Sequence, residues 1–427
     1  MRINRLFASA LSAPLLFLTA LSSTAAEPFA LKPNDTVVFY GDSITDQRLY
    51  SMLTEFYVVT RYPSLNVNFV HSGWGGDRVT GGGGGPIDTR LTRDVVAYHP
   101  TVMTIMLGMN DGSYTNHKEA DDTTYFAGYH HIVDSVEKSI PGLRITAIGP
   151  SPFDDVTRPL TLQPDGYNAV LVRYSEYLKK YAADGKFGYA DLNSGVVTML
   201  QKANATDPAV AQKIIPDRVH PALAGHLIMA EQLLKAWNAR AVVSTVTIDA
   251  ASGKVSESVF AKVSEVHAGA PLQWTETDEA LPLPFANLLG TDKDKTLDLT
   301  IKSSDVTEAL NEEPLKITGL AAGRYTLSID GAAVGMYSEA ELAQGVNLAV
   351  LDTPMSKQAV TVRDLTQKRL DVHQQRWRTL QVPMASLDLL HLDEAMKALD
   401  TLDTELTTKQ RQAAQPLPHK FQVSLVQ

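Results

Sequence analysis

Thr36-Val-Val-Phe-Tyr-Gly-Asp-Ser-Ile-Thr-Asp46 is the stretch from which the fold can be read. Thr36 to Tyr40 is a short β-branched and aromatic run, the composition of a strand buried on both faces of a parallel sheet. Gly41-Asp42-Ser43 then turns the chain at the carboxyl end of that strand, where open α/β sheets keep their ligand crevices. Ser43 stands where a nucleophile is useful, although Gly-Asp-Ser is also an ordinary turn tripeptide.

Outward from this strand the chain keeps one texture to about Arg240. Further apolar runs at Val67 to Val70, Val102 to Leu107, Arg144 to Ile148 and Phe187 to Ala190 are separated by segments long enough for crossover helices. Five such strands predict a doubly wound, three-layer α/β/α domain. Pro164 to Ala183 reads as a helix through Val170, Leu171, Tyr174 and Leu178. Pro221 to Ala239 reads as another, opened by its proline. Gly81 to Gly85 lacks the Gly-Lys-Ser/Thr ending of a phosphate loop, so a mobile or closely packed loop beside the site is expected instead of nucleotide binding.

Beyond Arg240 the pattern changes. Val242 to Asp249 and Leu297 to Ile301 alternate like half-buried strands, and Leu315 to Leu320 followed by Gly323 to Gly331 reads as antiparallel strands with glycine-marked turns. From Ser356 to about Ala414 the spacing of Leu387, Leu390, Leu392, Met396, Leu399, Leu402 and Leu406 predicts two packed helices. The expected divisions are a signal peptide at 1–26, a catalytic domain at 27–240, a β-rich appendage at 241–355 and a helical segment at 356–427.

Arg2 and Arg5 precede the apolar run Leu6 to Leu21, and Ser22-Ser-Thr-Ala-Ala26 supplies small residues for cleavage. This pattern predicts export, to the periplasm or outside the cell, with a cut after Ala26. A retained anchor fits less well, because Ser9, Ser12 and Pro14 interrupt a run already short for a span of ~20 residues. The formal charge of −10 becomes −12 once Arg2 and Arg5 are removed, and no cluster of Lys or Arg offsets it. Nucleic acid and anionic membrane surfaces are therefore not expected partners. The sequence has no cysteine, so packing alone must hold the fold.

Acyl transfer by a serine needs a hydroxyl, a base and donors for the oxyanion. His220 in Asp217-Arg-Val-His-Pro221 is the candidate base for Ser43, and Asp217 is close enough in sequence to orient its ring. Asp-Xaa-Xaa-His is also a pair of metal-ligand types, but two ligands make a weak site. The candidate oxyanion donors are the backbone N–H groups of Ser43 and Gly76 and the side-chain amide of Asn110. Gly76 equally suits a plain tight turn, and Asn110 a helix cap.

Together Gly41-Asp-Ser-Ile-Thr45, Gly73-Trp-Gly-Gly-Asp77, Gly108-Met-Asn-Asp111 and Asp217-Arg-Val-His-Pro221 resemble the SGNH hydrolases, also called the GDSL esterase/lipase family. The name serine, glycine, asparagine and histidine falls on Ser43, Gly76, Asn110 and His220. The resemblance implies a flavodoxin-like fold and ester hydrolysis through an acyl-enzyme, without metal or cofactor and with Asp217 as third triad member. It covers Glu27 to about Arg240. One position departs from it: where many relatives begin the second block with Asn, this chain has His71. The Ile44-Thr45-Asp46 ending resembles members that act on acylated sugars.

Trp74, Asp77, Arg78, Asp111, Tyr114, Asn116 and His117 surround these blocks, a polar set with aromatic faces. Trp74, Arg78, Asp111 and Tyr114 are the candidate substrate contacts, and a small acyl group on a carbohydrate is the expected substrate. A lysophospholipase or thioesterase shares every catalytic residue, and a non-catalytic binding protein shares the fold. Two readings fit the C-terminal part. One is a carbohydrate-binding module using Trp274, Tyr325, Tyr337 and Trp377; the other is an appendage that docks on the catalytic domain and shapes its cleft.

Overall fold

The computed structural model describes residues 28–288 and 292–426. The expected signal peptide, with its cut after Ala26, lies outside the described residues. The first half is built on five parallel strands: β1 (Thr36–Gly41), β2 (Asn68–Gly73), β3 (Val102–Met106), β4 (Arg144–Ile148) and β5 (Gly188–Ala190). Their spatial order is 2-1-3-4-5, the doubly wound flavodoxin-like arrangement. Val37, Val38, Phe39 and Tyr40 are each 0% exposed, as a strand covered on both faces requires.

The flanking helices are α1 (Ser43–Asp46), α2 (Leu49–Arg61), α3 (Ile87–Asp94), α4 (Glu119–Ser139), α5 (Asn168–Gly185), α6 (Leu192–Thr206) and α7 (Leu223–Ala236). Pro221 does not open α7; Ala222 is the residue before its first turn, and the Pro221 carbonyl instead accepts a hydrogen bond from Gln47. The order reverses beside β1, which places the topological switch point at Ser43.

The second half departs from expectation in three ways. Leu297 to Ile301 is not a strand but belongs to helix α8 (Thr296–Lys302). Over so short a segment Leu297, Thr300 and Ile301 fit helical spacing as well as Leu297, Leu299 and Ile301 fit alternation, and length could not arbitrate. Next, β10 (Pro314–Thr318) and β11 (Arg324–Ile329) do not form a hairpin. Strand β10 runs parallel to β6 (Thr245–Asp249), in a mixed sheet with β7 (Lys254–Val259) and the short β13 (Val346–Asn347). Strand β11 pairs with β12 (Ala332–Ser338) across Asp330-Gly331, whose φ values of +52° and +82° suit a tight hairpin turn.

Lastly, the segment 356–427 is not wholly helical. After α9 (Pro354–Gln374) and α10 (Leu392–Ala413) the chain returns as β14 (His419–Leu425). This strand lies between β11 and β9 (Leu272–Asp278), at the centre of an antiparallel sheet of order β8-β9-β14-β11-β12, with β8 spanning Ala261–His267. The sheet and the helical segment are therefore one piece, so 355 is not a structural boundary.

Trp274, Tyr325 and Trp377 are 2%, 4% and 1% exposed, and Tyr337 is half-buried. Trp274 stacks on Phe421 and its indole donates to Glu276. Three of the four aromatics proposed for sugar stacking thus serve as core. The appendage is docked: Arg61 of α2 donates to the carbonyls of Ala241 and Leu310, at 2.8 and 2.9 Å.

Candidate active site

Three loops at the carboxyl ends of β1, β2 and β3 and a fourth before α7 build the site. After β1 the chain bends at Gly41, where a Cβ would stand 2.2 Å from Thr45 Oγ1 and 2.6 Å from the Met106 carbonyl. Asp42 caps α1, accepting from the Ile44 N–H at 3.0 Å. Burial pushes the Asp42 carboxyl up to about 7. Ser43, the first residue of α1, is thereby presented at the sheet edge.

The loop before α7 brings the second group. Arg158 donates to the carbonyls of Gln212, Ile215 and Pro216, and Arg218 to those of Asp154 and Pro159, so the loop is strapped down from both ends. Arg218 takes a φ of +72° there. His220 Nε2 lies 2.8 Å from Ser43 Oγ, and His220 Nδ1 lies 2.7 Å from Asp217 Oδ2. The other Asp217 oxygen accepts from the N–H groups of Val219 and His220, at 3.0 and 2.7 Å. Partial burial would raise the Asp217 carboxyl, but these hydrogen bonds with His220 outweigh it and hold the group below its ordinary range.

Sequence reasoning missed the support beneath this contact. Gln47 donates to the Pro221 carbonyl at 3.3 Å and accepts from His226 Nε2 at 3.0 Å, while His226 Nδ1 accepts from the Tyr50 N–H at 3.2 Å. His226 is therefore held as the Nε2–H tautomer. Burial pushes it down to about 3, so it stays neutral. Gln47 follows α1 directly, and that adjacency was the one signal available in the sequence.

Gly76 follows β2 with a φ of +77°, and a Cβ there would meet no heavy atom within 4 Å. Behind it, Asp77 is fully buried and accepts from Gly84 N–H at 3.0 Å and Arg90 Nε at 2.6 Å. A Cβ on Gly82 or Gly83 would meet the carbonyls of Gly76 and Gly75 at 2.6 and 2.4 Å. The glycine run is thus a small hairpin packed against the back of this loop, as the closely packed reading expected. Asn110 follows β3; its Nδ2 donates to the Asp77 carbonyl at 3.0 Å and its Oδ1 accepts from Tyr114 at 3.1 Å.

The four candidate substrate contacts divide. Trp74 is half-buried and Arg78 is exposed, donating to Ser113 at 3.2 Å. Tyr114 is 41% exposed, with its phenol pushed up to about 12, chiefly by burial of its hydroxyl end. Asp111 points elsewhere: it is 8% exposed, accepts from the Val79 N–H at 3.0 Å and is pushed up to about 6 by burial. Among the four it is the one held inward as a buried strut.

The departure at His71 also has a structural reason. His71 is buried between Ser51 and Glu55, at 2.8 and 2.9 Å, and Glu55 also takes Arg369 of α9 and Gln410 of α10, at 2.5 and 2.9 Å. The histidine belongs to the joint with the C-terminal helices. Among the described residues no group of three His, Asp or Glu side chains converges as a metal site.

The GDSL-like Lipase/Acylhydrolase family model matches residues 39–228. Over 225 residues the chain is 26% identical to an acetylxylan esterase of Geobacillus stearothermophilus, a match covering 47% of this chain and 93% of that protein. A solved structure of a gut microbial diltiazem-metabolizing enzyme is similar at 25% identity and a TM-score of 0.78, covering 93% of this chain and 98% of that one. That likeness spans the C-terminal half as well as the α/β/α domain. Through its four blocks and the domain they close, residues 39–228 form an SGNH (GDSL-like) hydrolase domain, and the chain is a carboxylic ester hydrolase.

Proposed function

We propose that the protein is an exported serine esterase that removes small acyl groups, acetyl foremost, from a carbohydrate. The observation that carries the reading is His220 standing 2.8 Å from Ser43 Oγ and 2.7 Å from Asp217. In this reading Ser43 Oγ attacks the ester carbonyl as His220 Nε2 takes its proton, and Asp217 stabilises the imidazolium. The N–H groups of Ser43 and Gly76 and the Asn110 amide receive the oxyanion. His220 then returns the proton to the leaving alcohol, and water resolves the acyl-enzyme by the same steps. Asn110 keeps one amide hydrogen beyond the bond to Asp77, which is what this role requires.

The acetyl-sugar assignment is supported by the relative that acts on acetylxylan and by Tyr114 and Arg78 exposed beside Asn110. The test is a panel of p-nitrophenyl acetate, butyrate, octanoate and palmitate together with acetylated xylo-oligosaccharides. It compares protein beginning at Glu27 with its Ser43→Ala variant. Expected are short-chain preference, release of acetate from the oligosaccharides and loss of activity in Ser43→Ala by on the order of 10³-fold or more. Preference for long chains defeats the acetyl reading; equal activity of the two proteins defeats the nucleophile. Export is checked by the mass of protein recovered outside the cytoplasm, which an uncut N-terminus contradicts.

A further inference from the structure

One turn of the C-terminal half reaches the loop that carries Gly76. At its end α9 winds into a π-helical turn, Gln375–Gln381, a local widening that recurs at functional sites. Trp377 on this turn is 1% exposed, donates to Asp94 Oδ1 at 2.6 Å and meets the Trp74 ring edge-to-face at 5.5 Å. Arg378, the next residue, lies over the Trp74 ring with its guanidinium carbon 3.4 Å from the centroid. The same guanidinium stands 3.4 Å from the Gly73 carbonyl and 3.5 Å from Asp46 Oδ2.

Asp46 closes the circuit. Its Oδ2 accepts from the Gly75 N–H at 3.2 Å, and Asp46 ends the short helix that Ser43 begins. A Cβ at Gly75 would stand 4.0 Å from the Ser43 Cβ, so this loop borders the nucleophile directly. Gly76, with open space where a side chain would be, takes its orientation from the residues on either side. Arginine suits the place because one planar group stacks on an aromatic face while its edge donates to carbonyl and carboxylate.

We propose that Arg378 is a positioning residue of the esterase site: with Asp46 it clamps the Trp74–Gly76 loop so that the Gly76 N–H faces the oxyanion. The C-terminal half is then part of the active site. The inference rests on the esterase reading above, and its test separates the two.

The full chain is compared with Arg378→Ala, Arg378→Lys and a control, Arg376→Ala, whose side chain pairs with Asp400 at 2.8 Å on the same turn. Two readouts are taken: kcat and KM on p-nitrophenyl acetate, and amide hydrogen exchange across residues 73–77. A loop displaced by a fraction of an ångström lowers the chemical step, so Arg378→Ala is expected to lose about 10-fold or more in kcat with KM within about threefold. Its loop amides are expected to exchange at least about 10-fold faster. Lysine keeps the charge toward Asp46 without the stacked plane and is expected to restore part of kcat, while Arg376→Ala matches wild type in both readouts. Unchanged loop exchange in Arg378→Ala overturns the clamp whatever the activity, and an equal effect from Arg376→Ala does the same. A wild-type protein inert on every ester overturns the esterase reading instead, and the loop exchange then decides the clamp alone.

Discussion

Ser43 and His220 lie 177 positions apart in the chain and 2.8 Å apart in space. Their residue types were readable because the acyl transfer proposed above requires them, whereas Gln47 and His226, which hold the His220 loop from below, carry no motif of their own. Asp42 illustrates a residue whose chemistry is set by burial. Its carboxyl is ordinarily at 3.8 and is raised to about 7. The folded protein therefore binds a proton that the unfolded chain has released between those values. Its contribution to stability is fully present below 3.8, declines as pH rises through this window and is lost above about 7. Asn keeps the capping acceptor and mimics the neutral acid. Thermal melts are expected to show Asp42→Asn with a higher Tm than wild type at pH 8 and a converging Tm near pH 4; a constant difference across the range would contradict this.

Among the elements, α9 has the role least visible in its own sequence. The stretch from Ser356 reads as a helix and nothing more. Its Arg369 enters the first domain and pairs with Glu55, which is 0% exposed and also takes His71 and Gln410. Burial alone would raise the Glu55 carboxyl, but Arg369 and His71 outweigh it and hold the group below its ordinary range. Removing one partner strands the other in the interior. Arg369→Met is expected to lower unfolding free energy by about 3–5 kcal/mol in urea titrations, and adding Glu55→Gln to recover part of that loss. Additive losses in the double variant would show that the pair is not coupled. The same joint explains His71, which the four-block pattern marked only as a departure.

At the scale of the whole molecule, β14 makes the two halves of the C-terminal region inseparable. Ending the chain at Gln415 removes the strand between β9 and β11 and uncovers Trp274 and Tyr325. Such a truncation is expected to lose soluble expression or cooperative melting. A helical tail independent of the sheet would tolerate it, and a sharp, unshifted melting transition would favour that view.

What the sequence determined by itself was local or periodic. The buried run Thr36 to Tyr40 and its four companions implied a doubly wound sheet, because strand spacing and right-handed crossovers leave few alternatives. Ser43, Asn110, Asp217 and His220 could be named because each stands beside a strand end or helix start with a side chain suited to its chemistry, and Gly76 because a residue without a side chain leaves its N–H open to a ligand. What tertiary structure alone decided involves partners distant in sequence. Strand β10 took a parallel neighbour rather than β11, and seven residues at Thr296–Lys302 became helix because α6 and α7 offered a surface to cover. Asp111 was drawn inward to the Val79 N–H, and Arg378 was carried to within 3.4 Å of Trp74 from 304 positions away in sequence. Hydrophobic periodicity reports which face of an element is buried; which element covers that face is a property of the assembled fold.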